Sequence, residues 1–148
     1  MIMIIRTATI DDIPELCELE KECFSLPWSR KNFEDFFALD FTVALAAVES
    51  TVNGERIVGY AGLYISGNEG DITNIAVNAE YRRRGIGRAL IEELKKVPNI
   101  DTLYLEVRES NLAAKALYEA QGFTADGIRK NFYHNPRENA ILMSFGRS

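Results

Sequence analysis

Apolar positions along the chain switch repeatedly between a period of two and a period near 3.6, and the switches divide it into strands and helices. Ile2 to Arg6 reads as a first strand. Thr9 to Asp12 carry capping residues for a helix starting near Asp11, with Pro14 in its first turn, where a missing N–H costs little. Ile13, Leu16, Cys17 and the stretch from Glu20 to Phe24 give this helix an apolar side. Glu15, Glu18, Glu20 and Glu22 give it an acidic side, which is either a solvated surface or an attractor of cationic substrate. Ser25-Leu26-Pro27-Trp28-Ser29 breaks the helix, and Ser29 caps a second one through Phe33, Phe36, Phe37 and Leu39. Those aromatics read as core, whereas Trp28, in a loop, is a candidate wall of a binding groove.

Period-two segments follow. Thr42 to Glu49 and Ile57 to Ile65 form a hairpin about Asn53-Gly54, and a turn over Ser66 to Gly70 leads to a β-branched strand ending at Val77. Gly59 and Gly62 inside a strand indicate a bulge or a close approach of other groups. Ile86, Leu90, Leu94 and Val97 then recur at helical spacing until Pro98, and Thr102 to Val107 is the next strand. Asn111 caps a helix through Leu112, Ala113, Ala116, Leu117 and Ala120, which Gly122 ends. Phe123 to Lys130 and Ala140 to Phe145 are the last two strands. This order predicts a mixed α/β fold in one domain spanning residues 1–148.

Composition narrows the function. A net charge of −5 argues against nucleic acid, whose binding needs a broad basic surface. No apolar run approaches the ~18 residues of a membrane span, and the N-terminus lacks the charged leader of a signal peptide, so a cytoplasmic protein with no membrane contact is expected. Cys17 and Cys23 have no metal-ligand or redox spacing and read as structural thiols in a reducing compartment. His134, the single histidine, lies in a polar stretch with Asn135 and Pro136, and no metal is expected.

The chemistry gathers in two places. Asp71 to Gly87 reads as a strand, a connection and a helix start, in which Arg82-Arg83-Arg84-Gly85-Ile86-Gly87 sets two glycines and three arginines where unpaired helix amides meet an anion. A dinucleotide fold fails here because Leu90 replaces the third small residue and antiparallel strands precede the motif. A Walker loop fails for want of G-K-[ST]. Downstream, Glu106 interrupts the apolar run Leu103-Tyr104-Leu105-Glu106-Val107, as a working carboxylate or as the ion-pair partner of an arginine such as Arg108. Asn111 and Tyr118, seven residues apart, share one side of the next helix.

RRRGIG after a NIAV strand, then LYLEVRESNLAAKALYEAQGF, resembles the acyl-CoA-binding half of the GNAT N-acetyltransferase superfamily. CFSLPWS, LEVR-x-SN, ALYE-x-x-GF and the final N-[FY]-Y…E-x-A-x-x-M are similar to the RimI-like branch, which acetylates the N-terminus of a ribosomal protein, and to its archaeal relatives. The resemblance covers nearly the whole chain. It implies a mostly antiparallel central sheet flanked by helices, with acetyl-CoA as cosubstrate. The backbone of Asn74, Ile75, Ala76 and Val77 would then pair with pantetheine, Arg82, Arg83, Arg84, Gly85, Ile86 and Gly87 would wrap the pyrophosphate, and Asn111 would hold the arm from the other side. Glu106 would be the general base and Tyr118 the proton donor to the leaving thiolate. Trp28 and Tyr133, the latter in the segment before the last strand, would face the acceptor, a protein N-terminus such as that of a ribosomal protein. Asn139 stands where relatives commonly carry aspartate, which bears on peptide preference. A small amine, a lysine side chain or a non-catalytic acyl-CoA module are the competing readings, and no feature assigns an oligomeric state.

Overall fold

The computed structural model describes residues 2–146. Its elements run β1 (Ile2–Thr7), α1 (Ile13–Cys23), α2 (Arg30–Ala38), β2 (Thr42–Thr51), β3 (Gly54–Ser66), β4 (Glu69–Val77), α3 (Ile86–Leu94), β5 (Thr102–Arg108), α4 (Leu112–Ala120), β6 (Thr124–Tyr133) and β7 (Glu138–Gly146). The seven strands form one sheet in the order β1-β2-β3-β4-β5-β7-β6, antiparallel throughout except between β4 and β5. This is the mixed α/β, mostly antiparallel architecture expected from the sequence. Among the described residues no helix is long and apolar enough to cross a membrane.

Side-chain alternation along the central strands feeds two cores. On one face Val58, Ala61 and Leu63 of β3 meet Ile86, Leu90, Ile91 and Leu94 of α3 and Tyr118 of α4. On the other face Ile57 and Tyr60 meet Ile13, Leu16 and Leu19 of α1 and Phe33 and Phe36 of α2. Ser29 caps α2 as its sequence indicates, with its Oγ accepting from the Asn32 amide at 3.2 Å.

Two expectations change, and a third is met in both of its readings. The acidic side of α1 is solvated at Glu15, Glu18 and Glu22 but not at Glu20, which is fully buried; Glu15 also accepts from the Ile57 amide at 3.0 Å, and Glu22 from the Ala79 amide at 2.8 Å. Glu15 and Glu22 thus satisfy backbone amides beside the bulge of β3 and just past the end of β4. Tyr133 closes β6 instead of lying in a loop. Gly59 and Gly62 satisfy both of their readings at once. Val58 is an extra residue beside Gly59, and Thr73 with Asn74 oppose Gly62 alone, while a Cβ on Gly62 would stand 2.5 Å from Thr73 Oγ1.

Candidate active site

The bulge at Thr73 and Asn74 bends β4 away from its parallel neighbour. β4 and β5 pair only where Glu69, Gly70 and Asp71 face Thr102, Leu103 and Tyr104; beyond that they part. The open wedge holds a cavity of about 320 Å³ with Ile72 to Ile75 on one wall, Leu105 to Arg108 on the other, and Asn111, Tyr118 and Tyr133 at its margins. A second cavity of about 730 Å³ shares Trp28, Asn74 and Glu106 with the first and adds Asp71, Asp126, Arg129 and Phe132. Glu106 and Asn74 therefore stand where the two spaces meet.

Ile75, Ala76 and Val77 keep pairing with β3 on one edge, Asn74 lies in the bulge, and the other edge of this stretch has no strand beside it. Unpaired strand amides and carbonyls of this kind suit an extended ligand that itself carries amides. From there the chain runs to α3 through Arg83 and Gly85, both in the left-handed region (φ 64° and 79°), and Gly85 caps α3 with no side chain. The first amides of α3 are left for an anion. Gly87 lets α3 and α4 approach closely, since a Cβ there would lie 3.0 Å from Leu117 Cδ2. Of the three arginines, Arg82 donates to the Val77 carbonyl at 3.3 Å and Arg84 lies over the Tyr81 ring at 5.0 Å.

Asn111 caps α4, its Oδ1 accepting from the Ala114 amide at 3.1 Å, and Tyr118 follows two turns later with its ring against Phe123. Burial, and then charge on Tyr133, pushes the Tyr118 phenol up to about 12. Tyr133 is likewise pushed up to about 12 by burial and then by Glu106. The Glu106 side chain keeps 35% exposure and pairs with Arg129 of β6 at 3.5 Å, not with Arg108.

Arg108 is occupied elsewhere, in a role its sequence position did not reveal. Its guanidinium donates to the His134 and Pro136 carbonyls, both at 2.9 Å, and to Glu138 at 3.2 Å, and it lies over the Tyr133 ring at 4.5 Å. It thus ties the β6–β7 turn over the cavity, and His134 contributes its backbone only. Trp28 stacks edge-on against Phe33 at 5.2 Å and lines both cavities. Cys23 reaches the first cavity with its thiol on the Val77 carbonyl, and burial pushes that thiol up, away from the nucleophilic thiolate.

Glu20 is the residue missed by sequence. Its spacing from Ile13 and Leu16 puts it on the apolar stripe of α1, and in the structure it accepts hydrogen bonds from the Trp28 amide at 2.7 Å, from Asn74 Nδ2 at 3.1 Å and from the Tyr60 hydroxyl.

The arrangement can align two reactants in the wedge, with a carboxylate and a protonated phenol on different walls. Residues 13–123 match the model of the acetyltransferase (GNAT) family. The chain is 39% identical over 139 residues to the ribosomal protein bS18 alanine N-acetyltransferase of Escherichia coli, with 90% of each chain covered. It is 35% identical over 143 residues to the Salmonella typhimurium protein of the same description, again with 90% of each covered. A crystal structure of the Escherichia coli ribosomal-protein alanine N-acetyltransferase superposes with a TM-score of 0.86 at 35% identity, covering 99% of this chain and 95% of that one.

Proposed function

The chain belongs to the GNAT acetyltransferase family, and on that premise we propose that it moves the acetyl group of acetyl-CoA directly to the α-amino group of a protein N-terminus. One observation carries the reading: the parting of β4 and β5, which lines one cavity with Glu106, Asn111 and Tyr118. The free edge of Asn74 to Val77 suits the amides of pantetheine. The start of α3, capped by Gly85 with no side chain on its amides and with Arg82 to Gly87 around it, suits a diphosphate.

In this reading Glu106 takes a proton from the incoming ammonium, directly or through water. The freed amine attacks the thioester carbonyl, an amide N–H at the end of β4 near Val77 holds the oxyanion, and the C–S bond breaks with Tyr118 giving its proton to the sulfur, while the nitrogen gives up its second proton, through water, to restore the Tyr118 phenol. Neither cysteine forms an acyl intermediate. An α-amino group, with a pKa of roughly 7.7 to 8.0, costs ~1 kcal/mol to deprotonate near pH 7, against ~4.6 kcal/mol for a lysine near 10.4, so one half-exposed carboxylate suffices for the N-terminus. Trp28 and Tyr133 flank the acceptor. The N-terminus of a ribosomal protein is the first acceptor to try, because the relatives named above act on one, and the enzyme is placed in the cytoplasm as one domain.

Glu106→Gln is expected to lower kcat by about a hundredfold or more while acetyl-CoA still binds. Stopped-time acetylation assays beside a CoA titration test this, and wild-type turnover in the variant would remove Glu106 from the mechanism.

A further inference from the structure

The chemistry above does not use Glu20, a carboxylate with 0% exposure. Among the described residues it pairs with no lysine or arginine, and burial pushes its carboxyl up while its three donors pull it back toward the ionised form. A buried charge of this sort is weak evidence for stability, since well-packed apolar residues commonly do as well. Its meaning lies in what it holds. Tyr60 belongs to the core, but the other two donors belong to the site: Trp28 and Asn74 each line both cavities.

A carboxylate only accepts, so Asn74 must turn its Nδ2 to Glu20 and its carboxamide oxygen the other way. Among the described residues no protein donor reaches that oxygen. Among the described residues the single buried side-chain polar atom without a partner is Thr73 Oγ1, so the Asn74 oxygen is open to the cavity. A neutral primary amine attacking through its lone pair has two N–H groups to place. Glu106 on β5 offers one acceptor and Asn74 on β4 offers another.

We propose that Glu20 is a positioning residue of the acceptor site, orienting Asn74 so that its carboxamide oxygen accepts from the incoming amine and anchoring the segment that carries Trp28. This rests on the amine entering between β4 and β5. The backbone of Asn74 stays free for the pantetheine arm while its side chain serves the acceptor.

Steady-state kinetics of Glu20→Gln and Asn74→Ala, singly and together, test the proposal. The glutamine puts an amide donor among three donors. Each single variant should raise the acceptor KM about tenfold and leave the acetyl-CoA KM within about twofold, and the double variant should be little worse than either. A Glu20 that only fills the core would lower the melting temperature and the active fraction with the acceptor KM unmoved, and that result overturns the proposal, as do additive effects. Should Glu20→Gln not fold, Asn74→Ala decides alone, and an unchanged acceptor KM refutes it. The acceptor is whichever amine the wild-type protein acetylates fastest. If that is a lysine or a small amine, the N-terminal reading falls while the split in KM still decides Glu20.

Discussion

Tyr118 is held two turns into α4 at a phenol pKa lifted to about 12, so it keeps its proton well above neutrality. A raised phenol pKa moves the loss of the acid upward in pH. The rate should therefore climb as the amine deprotonates and show no fall from Tyr118 below about pH 10. Tyr118→Phe should cost about a hundredfold in kcat. A falling limb near pH 8 to 9 that vanishes in Tyr118→Phe would show the phenol losing its proton there and would contradict the raised pKa. At this scale the sequence shows Glu106 and Tyr118 because each departs from its surroundings, one by charge in an apolar strand and the other by sharing a helix side with Asn111. It hides the partners. Arg129 reaches Glu106 from β6, which β7 separates from β5 in the sheet, and no spacing along the chain encodes that neighbour. Glu20 was legible in principle, since its helical spacing pointed inward while its residue type pointed to solvent, and the spacing was the better guide.

The element that makes the site is β4, and its bend depends on Gly62. In Gly62→Ala the new Cβ would meet Thr73 Oγ1 at 2.5 Å, with Phe36 behind it, so the bulge has to shift. A loss of about 1–3 kcal/mol in urea unfolding is expected, together with weaker acceptor use; full stability would show that the bulge tolerates a side chain. A second element-level device joins β1 to the start of α1. Arg6 meets Asp12 through two hydrogen bonds of 2.9 Å, and these hold the Asp12 carboxyl below its usual range. Asp12 is depressed relative to the unfolded chain, so its contribution is complete above about pH 4 and is lost as pH falls through the folded value. Asp12→Asn should thus cost about 1–2 kcal/mol at pH 7, with the difference from wild type shrinking below about pH 4. A gap of constant size down to pH 2 would contradict this. The strands, helices and capping residues were readable because each is a local pattern. The parting of β4 from β5 was not, because it arises where one glycine of β3 faces two residues of β4, and the sequence marks only the glycine.

At the scale of the molecule, one sheet with helices on both faces opens between two central strands, where the proposed reaction would bring acyl donor and acceptor together. The alternation of strands and helices predicts the class, but not that β7 lies between β5 and β6, a long-range pairing that brings the Tyr133 turn over the cavity. The resemblance in the Arg82 to Gly87 and Glu106 to Tyr118 segments, more than periodicity, tied the two halves of the site together. The most direct measurement uses one peptide that carries both a free α-amino group and an internal lysine, incubated with acetyl-CoA and the wild-type protein, with the acetyl group located by fragment mass. Acetyl on the α-amino nitrogen is the expected result. Acetyl on the lysine alone, with the N-terminus untouched, would contradict it.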